Sequence, residues 1–96
     1  MEIFEPLSKF YDAIDEDPRI GVTHISLYIA LLQQWNLNGG TNPIEISRVK
    51  LMNAAKISSR FTFYKCLNDL HDFMYINYVP SSSKFILSVY HLRGLK

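Results

Sequence analysis

Ser58, Ser59, Arg60, Phe61, Thr62 and Lys65 place two cations, three hydroxyls and one aromatic ring within a short stretch. A guanidinium can grip two acceptors at once, and hydroxyls bond anionic oxygens or the polar edges of flat rings. Arg48, Lys50 and Lys56 precede this stretch and Lys84 follows it. The chemistry such a set can do is recognition of an anion.

The charge distribution agrees. The chain carries ten Lys and Arg and nine Asp and Glu, a net charge of +1. Residues 1–47 hold Lys9 and Arg19 against seven acids, a balance of −5. Residues 48–96 hold eight basic residues against Asp69 and Asp72, a balance of +6. The second half is therefore expected to face an anion, with charge pairing between the halves as the alternative.

Covalent chemistry has no comparable constellation. His24, His71 and His91 are scattered. Cys66 and His71 lie five apart on a helix and point about 140° from each other, so they do not share a metal. There is one Cys. It reads as a thiol at the edge of the core, and a reducing interior is its natural setting. "NLNGGTNP" lacks the Lys and the strand-loop-helix setting of a phosphate loop. Asp15-Glu16-Asp17 reads as a solvated acidic loop. No catalytic residue, metal, cofactor or small-molecule ligand is expected, and the chain reads as a non-enzyme.

The chain has 96 residues, of which 48% are hydrophobic and 14% aromatic, enough for one small domain with a dense core. Its start lacks the layout of a signal peptide, and its longest apolar run, around Leu27–Leu32, is far short of the roughly 20 residues that cross a bilayer. A cytoplasmic protein with no membrane partner is expected.

Several elements must position the candidate residues. Ile3, Leu7, Phe10 or Tyr11, and Ile14 form one helical stripe, with a start near Glu5 or Pro6. "DEDPRIG" interrupts it. Thr23 is the expected N-cap of "HISLYIALLQQWN", where Ile25, Tyr28, Leu32 and Trp35 make one line that Ile29 and Leu31 widen. A helix that apolar belongs at the centre of a domain. After the loop 36–43, "IEI" at 44–46 alternates like a strand. Ser47 caps "RVKLMNAA", Lys56-Ile57-Ser58 make a tight turn, and Ser58 or Ser59 caps a helix to about Phe73. "YINYV" and "FILSVYHL" are β-rich and flank the turn "PSSSK".

On a helical wheel with Phe63 at zero, Leu67, Leu70 and Met74 fall within about 40° and Cys66 about 60° away, which defines the inward face. Phe61, Lys65, Asn68 and Asp72 lie opposite, with Thr62, Tyr64 and Asp69 on the flanks. The first two exposed turns carry no acid, and the last turns carry Asp69 and Asp72. Bases early and acids late oppose the helix dipole, so this gradient points to a ligand at the N-terminal end. Phe61 is the odd member. Exposed, it would touch a thymine methyl. Packed under a hairpin or on the first helix, it would serve the core, and packing is the favoured reading.

The fold class expected is mainly α with a small β hairpin: a winged helix-turn-helix over a single domain 1–96. Residues 1–17 form the N-terminal helix and acidic loop, 47–73 the helix-turn-helix, and 75–92 the wing. A four-helix bundle leaves the β-rich tail unexplained. In a helix-turn-helix the second helix enters the major groove, where Arg60, Ser59, Thr62, Phe61 and Lys65 would meet bases and phosphates. The expected partner is double-stranded DNA, with Arg48, Lys50, Lys56, Ser58 and Lys84 available to the backbone. One such module binds weakly, so a homodimer is expected.

Ile25-Ser26-Leu27-Tyr28, Trp35-Asn36, Lys56-Ile57-Ser58-Ser59, Tyr64-Lys65-Cys66-Leu67 and Tyr78-Val79-Pro80-Ser81 resemble segments of small winged-helix proteins carried by bacterial conjugative or mobilisable transposons. The resemblance spans about residues 20–82. More distantly, the layout is similar to the N-terminal winged helix of DnaD-type and plasmid replication initiators. The resemblance implies a DNA-binding regulator or accessory factor of a mobile element. The alternative is a protein-docking winged helix of the replisome-organiser type. The family's wing is longer than the "SSSK" turn found here, which weakens the case for wing contact with DNA.

Overall fold

Alternating apolar residues and serine caps set where the chain changes from strand to helix. The computed structural model of the protein describes residues 4–80 and 87–96. Their order is α1 (Phe4–Ile14), α2 (Val22–Leu37), β1 (Ile44–Ile46), α3 (Arg48–Ala55), α4 (Arg60–Asp72), β2 (Ile76–Val79) and β3 (Ser88–Leu92). Helix, helix, strand, helix, helix and a pair of strands is the expected succession. Ile3, Ser81–Ser83, Lys84 and the start of "FILSVYHL" lie outside the described residues.

The strands form one antiparallel sheet in the order β1-β3-β2. Ile44 pairs with Tyr90 and Ile46 with Ser88 on one side of β3, while Ile76 pairs with Leu92 and Tyr78 with Tyr90 on the other. The period of two puts Ile44, Ile46, Ile76, Ser88, Tyr90 and Leu92 on the covered face and Glu45 in solvent. Burial pushes the Tyr90 phenol far up from its ordinary value, with the nearby Tyr78 adding to the rise. At the β2 edge, the Tyr78 N–H donates to His71 Nδ1 at 3.2 Å, which satisfies a group that an edge strand leaves open.

Helix α2 lies against α3, α4, β1 and β3. Its Leu27, Leu31 and Leu32 meet Leu51 and Ala55 of α3, and Phe63, Leu67 and Leu70 of α4, in one buried cluster. Ser26 adds a polar tie by donating its hydroxyl to the Ala55 carbonyl. Helix α1 joins through Phe10, whose ring stacks on Tyr28 at 3.8 Å between centroids and meets Tyr75 edge-on at 5.7 Å.

The structure departs from the sequence expectations at several points. Phe10 is the buried member of the Phe10/Tyr11 pair, and Tyr11 faces solvent. Helix α2 starts before Thr23: Gly21 occupies the N-cap, and its N–H donates to His24 Nδ1 at 2.9 Å. Ile29 is exposed, because α3 and α4 cover the Leu27–Leu31 side of α2. Met74 was expected inside and stands out in solvent. The helix ends at Asp72, Met74 turns left-handed at φ 71°, and the Met74 and Tyr75 N–H groups close back on the His71 and Leu70 carbonyls. That is a Schellman closure, which throws its left-handed residue off the wheel. Lys56 plays the same part after α3 at φ 60°.

The acidic loop is only partly solvated. Arg19 donates Nε–H and Nη2–H to the two Asp17 carboxylate oxygens at 2.8 and 2.9 Å. The Tyr75 hydroxyl donates to the same carboxylate at 2.7 Å, and the Arg19 guanidinium lies 3.9 Å from the Phe73 ring centroid. This clasp joins the α1–α2 loop to the chain after α4. The Arg19 bonds, then the Tyr75 bond, hold the Asp17 carboxyl far below the usual carboxylate range, while burial and Asp17 raise Tyr75 to about 12.

In the unfolded chain an Asp titrates near ~4. The Asp17 clasp therefore contributes its full stability above that pH and loses it as pH falls toward the lower folded value. Asp17→Asn is expected to melt below the wild type at pH 5–7, with the gap closing toward pH 2. Thermal unfolding followed by circular dichroism across that range checks this, and a gap that does not vary with pH rejects it.

Candidate nucleic-acid interface

Helix α4 begins because Ser59, in extended conformation, accepts the Thr62 N–H on its Oγ at 3.2 Å. Ser47 does the same for α3, accepting from the Lys50 N–H at 3.3 Å. Of the two serines expected as possible caps, Ser59 takes the task, so this candidate DNA contact is already engaged with the Thr62 N–H. Ser58 and Lys56 remain exposed in the turn before it.

With Phe63, Cys66, Leu67 and Leu70 turned inward, the outer face of α4 follows from the helical period. Arg60, Phe61, Tyr64, Lys65 and Asn68 line one open depression on that face. The i, i+3, i+4, i+7 spacing of Phe61, Tyr64, Lys65 and Asn68 brings those four onto one ridge, with Arg60 beside its N-terminal end. Tyr64 and Asn68 were placed on the wheel but left out of the candidate set, and the spacing from Phe61 is the signal that finds them. Thr62 is half-buried and does not line the depression.

Phe61 is 79% exposed, the reverse of the favoured expectation that it packs. The inward positions of α4 are filled by other side chains, so the ring has no cavity to enter. It projects into solvent between Arg60 and Lys65.

The two cations of the ridge differ. Lys65 Nζ lies 2.9 Å from Asp69 Oδ2, one helical turn on, so the cation is not unattended as expected. The bond to Asp69 raises its pKa. Among the described residues Arg60 makes no ion pair or side-chain hydrogen bond.

Asp69 also receives His24 Nε2 at 2.9 Å. Because His24 Nδ1 already accepts from Gly21, the neutral ring with its hydrogen on Nε2 satisfies both bonds at once. The bonds from His24, then Lys65, lower the pKa of Asp69. This tie, from the first turn of α2 to the third turn of α4, accounts for one of the two late acids on α4. Half of the gradient that pointed to a ligand thus has a structural reason.

The remaining candidates lie apart from the ridge. Arg48 and Lys50 stand in the first turn of α3 and do not line the depression. Lys50 is exposed, whereas Arg48 is half-buried, with its Nη1 atom buried and lacking a partner among the described residues. Lys84 lies outside those residues. Cys66 is buried as expected, and burial pushes its thiol up. Among the described residues, no three His, Cys, Asp or Glu side chains converge for a metal ion, and no helix is long and apolar enough to cross a membrane.

The chain matches no family model, no curated protein and no solved structure.

The Asp69 network separates a structural bond from a surface one. Asp69→Ala orphans the mostly buried His24 Nε2–H and is expected to cost about 1–3 kcal/mol of stability. Lys65→Met removes only an exposed ion pair and is expected to cost far less. Urea unfolding of both variants compares them, and equal losses would show that Asp69 does not act through His24.

Proposed function

We propose that this chain is a winged-helix DNA-binding module, a transcriptional regulator or accessory factor of a mobile genetic element. α4 enters the major groove of double-stranded DNA, and β2 and β3 form the wing. The element order and the β1-β3-β2 sheet support the winged-helix reading. The observation that carries the function is the outer ridge of α4, where Arg60, Phe61, Tyr64, Lys65 and Asn68 share one open face.

A helix inserted N-terminus first presents this ridge to base edges, with Arg60 able to grip a guanine in bidentate fashion. Lys50, Lys56 and Lys65 reach phosphates, and Ser58 and Thr62 add hydroxyls at the same end. Arg48, half-buried, is less available to a phosphate than the exposed Lys50. The module acts as a homodimer in the cytoplasm, since one recognition helix makes too few contacts for tight binding.

The second reading is a protein-docking module of the replisome-organiser type. The exposed Phe61 ring and the pairing of Lys65 with Asp69 favour it, because both shift the ridge from cationic toward aromatic.

Salt separates the two. Each phosphate contact contributes a slope of about −0.9 in log K against log salt, so the three phosphate-contacting lysines give roughly a fortyfold loss from about 50 to 200 mM. Fluorescence anisotropy with labelled random-sequence duplex should show this loss in the wild type. An Arg60→Ala, Lys65→Ala double variant should bind about tenfold or more weakly and with a shallower slope. Unchanged affinity removes α4 from the interface, and absence of duplex binding at low salt selects the docking module.

A further inference from the structure

The α4 ridge holds more than groove reading needs. Phe61, at 79% exposure, offers a ring in solvent, and Tyr64 one turn on forms the next part of the same depression. Asn68 closes the far end with an amide that both donates and accepts. Arg60 and Lys65 flank the rings with positive charge.

A nucleotide out of the double helix has three parts: a flat face, a polar edge and a phosphate. This depression has a group for each. Aromatic rings take the face, the Asn68 amide takes the edge, and the cations take the phosphate. A paired base gives a protein only its edge, because its faces are hidden in the stack. The rings are then idle except against a methyl group.

We infer that the α4 ridge is a binding site for a single unpaired nucleobase of a DNA strand, with Phe61 as the stacking surface. The inference rests on the DNA-binding reading and names the DNA that the ridge prefers: duplex with an unpaired or displaced nucleotide. Arg60 and Lys65 serve paired and unpaired DNA alike, so the ratio of the two affinities, and not duplex binding as such, reports on stacking against Phe61.

The test measures anisotropy for three labelled probes of one sequence: a fully paired duplex, the same duplex with one bulged thymidine, and the bulged duplex with an abasic residue in place of that thymidine. The wild type should bind the bulged duplex about tenfold tighter than the other two, as expected for one base stacked on an aromatic ring. Phe61→Ala should lose this preference, so that it binds bulged, abasic and paired duplex with equal affinity, while Phe61→Trp should keep the preference. The exposure of Phe61 makes a folding defect in either variant easy to exclude by thermal melting. Equal binding of all three probes by the wild type overturns the inference and leaves the DNA-binding reading standing. A Phe61→Ala variant that weakens paired and bulged duplex alike also overturns it. Binding of none of the probes at low salt overturns both.

Discussion

Helix α2 meets water along only one stripe, through Val22, Ile29, Gln33 and Leu37. Leu27, Leu31 and Leu32 are at most 2% exposed, and Tyr28, Ala30 and Trp35 are buried around them. Each such leucine stabilises the fold by about 1.5–3 kcal/mol on burial, which no single neighbouring helix could supply. Cover comes from α3 and α4 and from strands β1 and β3. Once α4 gives Phe63, Leu67 and Leu70 to this task, its opposite ridge has nowhere to go but solvent. The candidate interface is a geometrical consequence of how α2 is covered.

Two polar ties refine that arrangement. His24 and Asp69 connect the start of α2 to the middle of α4, and the Asp17 clasp connects the α1–α2 loop to the chain after α4. The His24–Asp69 tie also touches the electrostatics of the ridge. The Asp69 carboxylate that accepts from His24 shares an oxygen with Lys65. A structural bond therefore tempers one of the two ridge cations and leaves Arg60 as the free one among the described residues.

Much of the fold was legible from local rules. Ser47 and Ser59 were readable as caps because a hydroxyl before an apolar-periodic run satisfies N–H groups that the helix itself cannot. The 44–46 strand was readable from its period of two, and its pairing with β3 follows from having two apolar faces to bury together. Phe63, Leu67 and Leu70 fell inward as the wheel placed them. Met74 did not, because a wheel continues past the point where the backbone turns left-handed. Nothing in a methionine announces that turn, which glycine more often makes.

The candidate ridge was legible in type and only partly in role. Arg60, Phe61 and Lys65 were visible as a basic and aromatic group, since helical spacing is a local property of the chain. Whether Phe61 packs or protrudes depends on how the other elements fill the space around α4, and only the folded chain decides that. The same holds for Asp69 and Asp17, whose partners His24 and Tyr75 lie 45 and 58 residues away. The sequence alone determined the helices, the strands and which face of each is apolar, because those follow from contacts within a few residues. The tertiary structure decided which charges are spent on the fold and which ring is left exposed, because these depend on partners that only folding brings within reach.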